Sequence, residues 1–358
     1  MARDWGIDLS RSRASTTMRF HRFPLAAAAI ATLAAVPAQG PGYHIVHSYT
    51  LGGDGGWDYL ALDTVGHRLF ISRQNRVMVV DPETGRQIGE IPGFNRSHGI
   101  AFDYKTGHGF ATSGGDSSVI MFDLNSLRVL GRTTAAPDAD AILFDPATGN
   151  IFTFNGDSKS SSVIDGRSGK KVGTIDLGAG PEFGVSDGAG KVFVNLEEDG
   201  EIAEIDAKAM KVTRKWPLGS CKGATGLAID RAHHILFSGC RTKVMAISNA
   251  SDGKLITTLP IGAGVDATRY DPGTGNAFAS TGDGTLTVIH EDAPDKFTVA
   301  ETDTTMPGAR TMEIDEHTHR VFTVSAKFGP PPAESTAQNP RRRPPMLPGT
   351  FTLLVLGT

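Results

Sequence analysis

The groups in this chain best suited to chemistry share one spacing. Asp58, His98, Asp140, Glu182, Thr225, Asp266 and Arg310 each stand five residues before a member of the series Asp63, Asp103, Asp145, Asp187, Asp230, Asp271 and Asp315. If these seven positions come together in chain order, Arg310 falls between Asp266 and Asp58, and His98 between Asp58 and Asp140. Those charges are then compensated. Asp140 and Glu182 become neighbours with no cation between them. Two close carboxylates do not both stay ionised cheaply: one takes up a proton, or a cation sits between them. The pattern therefore points to a divalent cation held by Asp140 and Glu182, to a cationic ligand, or to a general acid–base pair. The plain alternative is a hydrated polar channel whose exposed charges contribute little.

The elements that would position these residues follow from the repeat. The aspartates are separated by 40, 42, 42, 43, 41 and 44 residues. Six or seven positions after each comes a phenylalanine: Phe70, Phe110, Phe152, Phe193, Phe237, Phe278 and Phe322. Periods of this length, each holding several short alternating strands, are the signature of a β-propeller. In "DAILFDPATGNIFTFNGDSKSSSVIDGRSGKKVGTIDL" four strands and three turns can be read in order. "YHIVHSYTLGG" looks like a fourth strand without its three predecessors, and the last copy has three strands without a fourth. The expected fold is all-β: a seven-bladed propeller closed by the N-terminal strand, which completes blade seven and removes an exposed sheet edge. The seven polar positions then start the inner strands and ring the mouth of the central channel. Arg73, Asn155, Asn195, Arg241 and Trp57 are expected to border the same mouth. The phenylalanines are expected to pack between sheets.

"HTHRVFTVSAKF" and "GDSKSSSVIDGRSGKKVGTIDLG" resemble the YVTN-type repeats of the YncE-like family of exported bacterial propellers. The resemblance runs from about residue 43 to 358. It implies a periplasmic or surface seven-bladed propeller and no single reaction, since a propeller fold alone says little about activity.

Export is expected on independent grounds. Residues 1–38 read as a signal peptide, with Met18 an alternative start: Arg19 and Arg22 precede the apolar "LAAAAIATLAAV", and Val36 and Ala38 suit a cleavage site. A twelve-residue, largely apolar stretch is short for a membrane span. Removing residues 1–38 takes away five arginines and two aspartates and moves the net charge from −4 to −7. The remainder, 39–358, reads as one acidic periplasmic domain, a monomer with no transmembrane segment. Nucleic acid is excluded as a partner by the lack of a basic excess. Cys221 and Cys240 should reach one rim from adjacent antiparallel strands, and an oxidising compartment favours a disulfide between them. His67, His108, His233, His234, His317 and His319 collect in the turns after the recurring aspartates and read as solvated turn residues. Residues 328–349 form a Pro-rich basic loop in the last copy, with Arg341, Arg342 and Arg343 placed to fold over an acidic mouth or to meet a partner.

There is no C-x-x-C-H, G-x-S-x-G or H-E-x-x-H motif. The first functional expectation is therefore a binding module. It would take up a periplasmic protein or a small molecule at the mouth through Asp58, His98, Asp140, Glu182, Asp266 and Arg310. The second is a metal-assisted hydrolase or lyase of the lactonase kind. There Asp140 and Glu182 hold the cation, His98 is the general base and Arg310 steadies a developing oxyanion.

Overall fold

The computed structural model describes residues 42–293, 295–330 and 344–358. The expected signal peptide and the 331–343 part of the Pro-rich loop, including Arg341, Arg342 and Arg343, lie outside these residues.

The regular structure among the described residues is all strand apart from one short 3-10 turn at Gly114–Asp116. The recurring aspartate explains why the chain turns where it does. The carboxylate of Asp63 accepts the backbone N–H groups of Val65 and Gly66, and Asp103 those of Lys105 and Thr106. Asp145, Asp187, Asp230, Asp271 and Asp315 each cap the following turn in the same way. A side chain that hydrogen-bonds its own backbone two or three residues on fixes a tight turn locally. The seven phenylalanines of the repeat are all buried to within 2 %. They fill the space between neighbouring sheets as expected, and most core clusters mix residues from adjacent copies of the repeat.

The strands form six hydrogen-bonded sheets rather than the seven blades expected. Five have four strands, and one has six. The large sheet arises because two long strands, Arg68–Val80 and Gln87–Asp103, each serve two partners with their two halves. The first pairs with Leu60–Asp63 through Arg68–Ile71 and with Gln87–Asp103 through Arg76–Val80. The second pairs onward with His108–Ser113 through Ile100–Asp103. A bridge between Gln74, at φ 55°, and Ser97 joins the halves. The first two copies of the repeat thus share one sheet. At the other end, His44–Thr50 pairs antiparallel with Thr352–Gly357 and forms the outer edge of the last sheet.

Cys221 and Cys240 are joined in a disulfide with Cα atoms 5.4 Å apart, and both are fully buried. No described helix is long and apolar enough to cross a membrane. Of the Pro-rich loop, the two ends are described: Phe328 bridges Met346, and Gly329 N–H donates to Pro345 O.

Candidate functional site

Inner strands reach the channel mouth with a shared irregularity. Register shifts fall between Ser97 and Ile100, Ala139 and Ile142, Pro181 and Gly184, Ala224 and Leu227, and Val265 and Ala267. Each interval holds one position of the polar series: His98, Asp140, Glu182, Thr225 and Asp266. A bulge re-aims side chains and locally frees the backbone from the ladder. That is how one position per copy can leave the blade and face its neighbours.

Five of the seven form a continuous chain of charges. Arg310 Nε lies 2.6 Å from Asp266 Oδ2, and its Nη2 3.7 Å from Asp58 Oδ1. His98 Nδ1 donates to Asp58 and stands 3.2 Å from Asp140 Oδ1. Glu182 begins a second group. It faces Glu197, and Arg241 binds Glu197 and approaches Glu182 Oε1 at 3.9 Å. The cation absent from the Asp140–Glu182 side of the ring therefore comes to Glu182 from a neighbouring hairpin. Thr225 does not join. It is buried, and its hydroxyl donates to Val265 O at 3.0 Å.

The bordering residues divide in the same way. Arg241 belongs to the mouth. Arg73 is fully buried, stacks 3.7 Å from the Phe351 ring centre and donates to the carbonyls of Gly53, Asp54, Gly55 and Gly56. It organises the 52–56 loop, and burial lowers its pKa to about 10. Asn155 donates to Ser160 O, and Asn195 to Thr225 O and Gly226 O, both inside the blades. Trp57 packs on Phe351 beside Arg310, whose guanidinium lies 6.0 Å from its ring centre.

Desolvation is the first influence on the ionisable groups of the mouth. Asp140, its side chain 24 % exposed, has its pKa pushed up to about 7, first by burial and then by the Asp58 charge. Glu182 is raised well above the ordinary range by burial, by Asp140 and by its hydrogen bond with Glu197. Burial raises Asp266 too, and Arg310 offsets part of that. For His98, burial disfavours the imidazolium, but the Asp58 hydrogen bond and the Asp140 charge outweigh it and raise its pKa. Its ring fits because position 114 is glycine: a Cβ there would stand 2.9 Å from His98 Cδ2.

Tyr59 and Phe183 stack beneath the ring, with centroids 5.6 Å apart. Burial and the four nearest ring carboxylates push the Tyr59 hydroxyl pKa far up, so it stays neutral. These two rings also line a cavity of about 630 Å³ further along the channel, whose walls include Ile100, Phe102, Ile142 and Phe144 and none of the ring residues. This open volume thus lies apart from the ring and is bordered by charged groups of its own, among them Arg269 and Glu313.

Glu197 and Tyr59 were not singled out in the sequence. Tyr59 adjoins Asp58, so the ring itself was the available signal. Glu197 sits in the acidic hairpin "LEEDG", where nothing separates it from Glu198. The turn histidines keep solvent access, and three of them also hydrogen-bond: His108 to Gly166 O, His319 to Asp271, and His233 to Asp230.

No family model matches this chain, and no curated protein matches it. Among solved structures, the chain is similar to one described as Kuenenia stuttgartiensis Hydrazine Synthase, with a TM-score of 0.66 and 13 % identity. The match covers 74 % of this chain and 91 % of that one. Likeness at this identity carries the fold alone. The fold is an all-β propeller.

Proposed function

We propose that this protein is a binding module whose channel mouth takes up a positively charged ligand. One observation carries the reading. Asp58, Asp140, Glu182, Glu197 and Asp266 converge on the mouth against three cationic side chains, His98, Arg241 and Arg310. Burial first, and for Asp140 and Glu182 the neighbouring carboxylates after it, make Asp140, Glu182 and Asp266 hold their protons more tightly than free carboxylates. A ligand cation would replace those protons. The disulfide supports an exported setting, and the YVTN-type repeat supports kinship with YncE-like propellers; both stand as parts of the proposal.

Calorimetric titration with 1,4-diaminobutane, with butyrate as the anionic control, tests the reading. Binding of the diamine should tighten from pH 6 to pH 8 as Asp140 releases its proton, and the Asp140→Asn/Glu182→Gln variant should lose it. Equal binding of butyrate, or diamine binding untouched in the variant, would remove the basis for the mouth as a cation site.

A second reading has its own observation. Asp58, His98 and Asp140 each offer a ligand atom, all within 4.8 Å of one another. A metal-assisted hydrolase would use this trio for the cation, in place of Asp140 with Glu182. Lactone hydrolysis abolished by chelation and by His98→Ala would favour it; hydrolysis that survives both would exclude it.

A further inference from the structure

We propose a second cation site, independent of the channel mouth, in which Asp230 Oδ2, His233 Nδ1 and Glu291 Oε1 bind a divalent transition metal of the zinc class. The three ligands come from two copies of the repeat. Asp230 ends the inner strand Ala224–Asp230, and His233 follows in its turn. Glu291 belongs to Thr285–Ala293 in the next sheet. His233 Nδ1 is 2.5 Å from Asp230 Oδ2 and 3.1 Å from Glu291 Oε1.

Protein groups alone do not complete this arrangement. The side chains of Asp230 and Glu291 are 2 % and 4 % exposed, so two carboxylates are almost wholly removed from water beside one imidazole. The single Nδ1–H serves Asp230. Glu291 Oε1 is then buried without a hydrogen-bond partner among the described residues. An unpaired buried carboxylate oxygen costs several kcal/mol unless a proton or a cation meets it.

The surroundings suit a metal. The Tyr270 hydroxyl donates to Glu291 Oε2 at 2.9 Å, leaving Oε1 free for a ligand bond and fixing the carboxylate plane. Outer-shell donors of this kind are a regular feature of metal sites. His233 is half exposed, which leaves solvent access for the remaining coordination positions. Zinc binds His nitrogen and carboxylate oxygen at about 2.0–2.2 Å, which places tetrahedral ligand atoms about 3.4 Å apart. The present spacings are reached from that geometry by moving the exposed imidazole. The molecule contains its own comparison. His319 donates to fully buried Asp271 at 2.7 Å; both aspartates cap their turns through the other oxygen, but Asp271 Oδ2 is also met by the Thr274 hydroxyl, and among the described residues no second carboxylate joins it in a ligand group.

The test is titration of the full chain with Co²⁺, read by visible d–d absorption, and with Zn²⁺ in competition against a chromophoric chelator. The expected result is a one-to-one complex that His233→Ala weakens at least a hundredfold and Tyr270→Phe about tenfold. Asp140→Asn, at the mouth, should leave it unchanged. His233→Ala alters an exposed side chain, and unaltered circular dichroism and thermal unfolding would show that it folds. Absence of metal binding in the unmodified chain would overturn the proposal. So would binding kept in His233→Ala, or lost in Asp140→Asn alone, which would assign the metal to the mouth.

Discussion

Replacing Asp140 by asparagine should make the protein more stable at pH 8 and change it little at pH 4. The carboxyl pKa rises from 3.8 to about 7 on folding, because burial and the Asp58 charge oppose ionisation. A group whose pKa is raised on folding contributes stability that is fully present below its unfolded pKa and is lost as pH rises through its folded pKa. Between pH 4 and 7 the folded chain therefore holds up to one more proton at this site than the unfolded chain. The shift of about 3 units corresponds to about 4 kcal/mol at 1.36 kcal/mol per unit. Sharing of charge with His98 and Asp58 makes that an upper figure. Asparagine is nearly isosteric with the protonated acid and cannot titrate. Unfolding free energies of both proteins at pH 4, 5.5, 7 and 8 should diverge in favour of the variant by up to about 4 kcal/mol. For a chain of this size that is a melting difference of roughly 6 °C. Glu182 and Asp266 are raised in the same direction, so subtracting one protein's curve from the other isolates position 140. A difference that stays flat with pH, or grows in favour of the unmodified protein, would refute the reasoning that the mouth desolvates its carboxylates.

Other consequences follow from neighbouring contacts. Removing Arg310 takes away the cation that offsets the burial of Asp266, so Arg310→Ala should destabilise more at pH 8 than at pH 5; equal loss at both would separate Arg310 from the ionisation of Asp266. Gly114→Ala pushes a Cβ against the His98 ring and should lower the imidazole pKa towards its ordinary value, as followed by NMR titration. Cys221→Ala/Cys240→Ala opens a loop with a sequence separation of 19 residues, and chain entropy puts the loss near 3 kcal/mol, or about 5 °C in melting temperature.

The fold was legible because its determinants are local and repeated. In each copy one turn is closed by an aspartate that bonds its own backbone, and the same phenylalanine is buried in the core. The number of sheets was not legible, because the joining of the first two copies rests on one bridge at Gln74 and Ser97, where spacing is silent. Within the ring, order along the chain correctly placed Arg310 between Asp266 and Asp58, and His98 between Asp58 and Asp140. What each side chain does with a bulged strand depends on partners from other blades. Thr225 turns inward because two carbonyls, of Gly239 and Val265, are within reach of its hydroxyl. Arg73 leaves the mouth because a glycine-rich loop offers it a cage of carbonyls and Phe351 an aromatic face. His233 read as a turn residue because Glu291, its most consequential neighbour, is 58 positions away in the sequence.

The central claim is that the mouth of the channel binds a cation in place of protons. The most direct measurement is a crystal structure of the full chain with 1,4-diaminobutane at pH 8. An ammonium nitrogen seated among Asp140, Glu182 and Asp266, above the Tyr59–Phe183 stack, is the expected result. A mouth that holds only water while the diamine lies elsewhere, or nowhere, would contradict it.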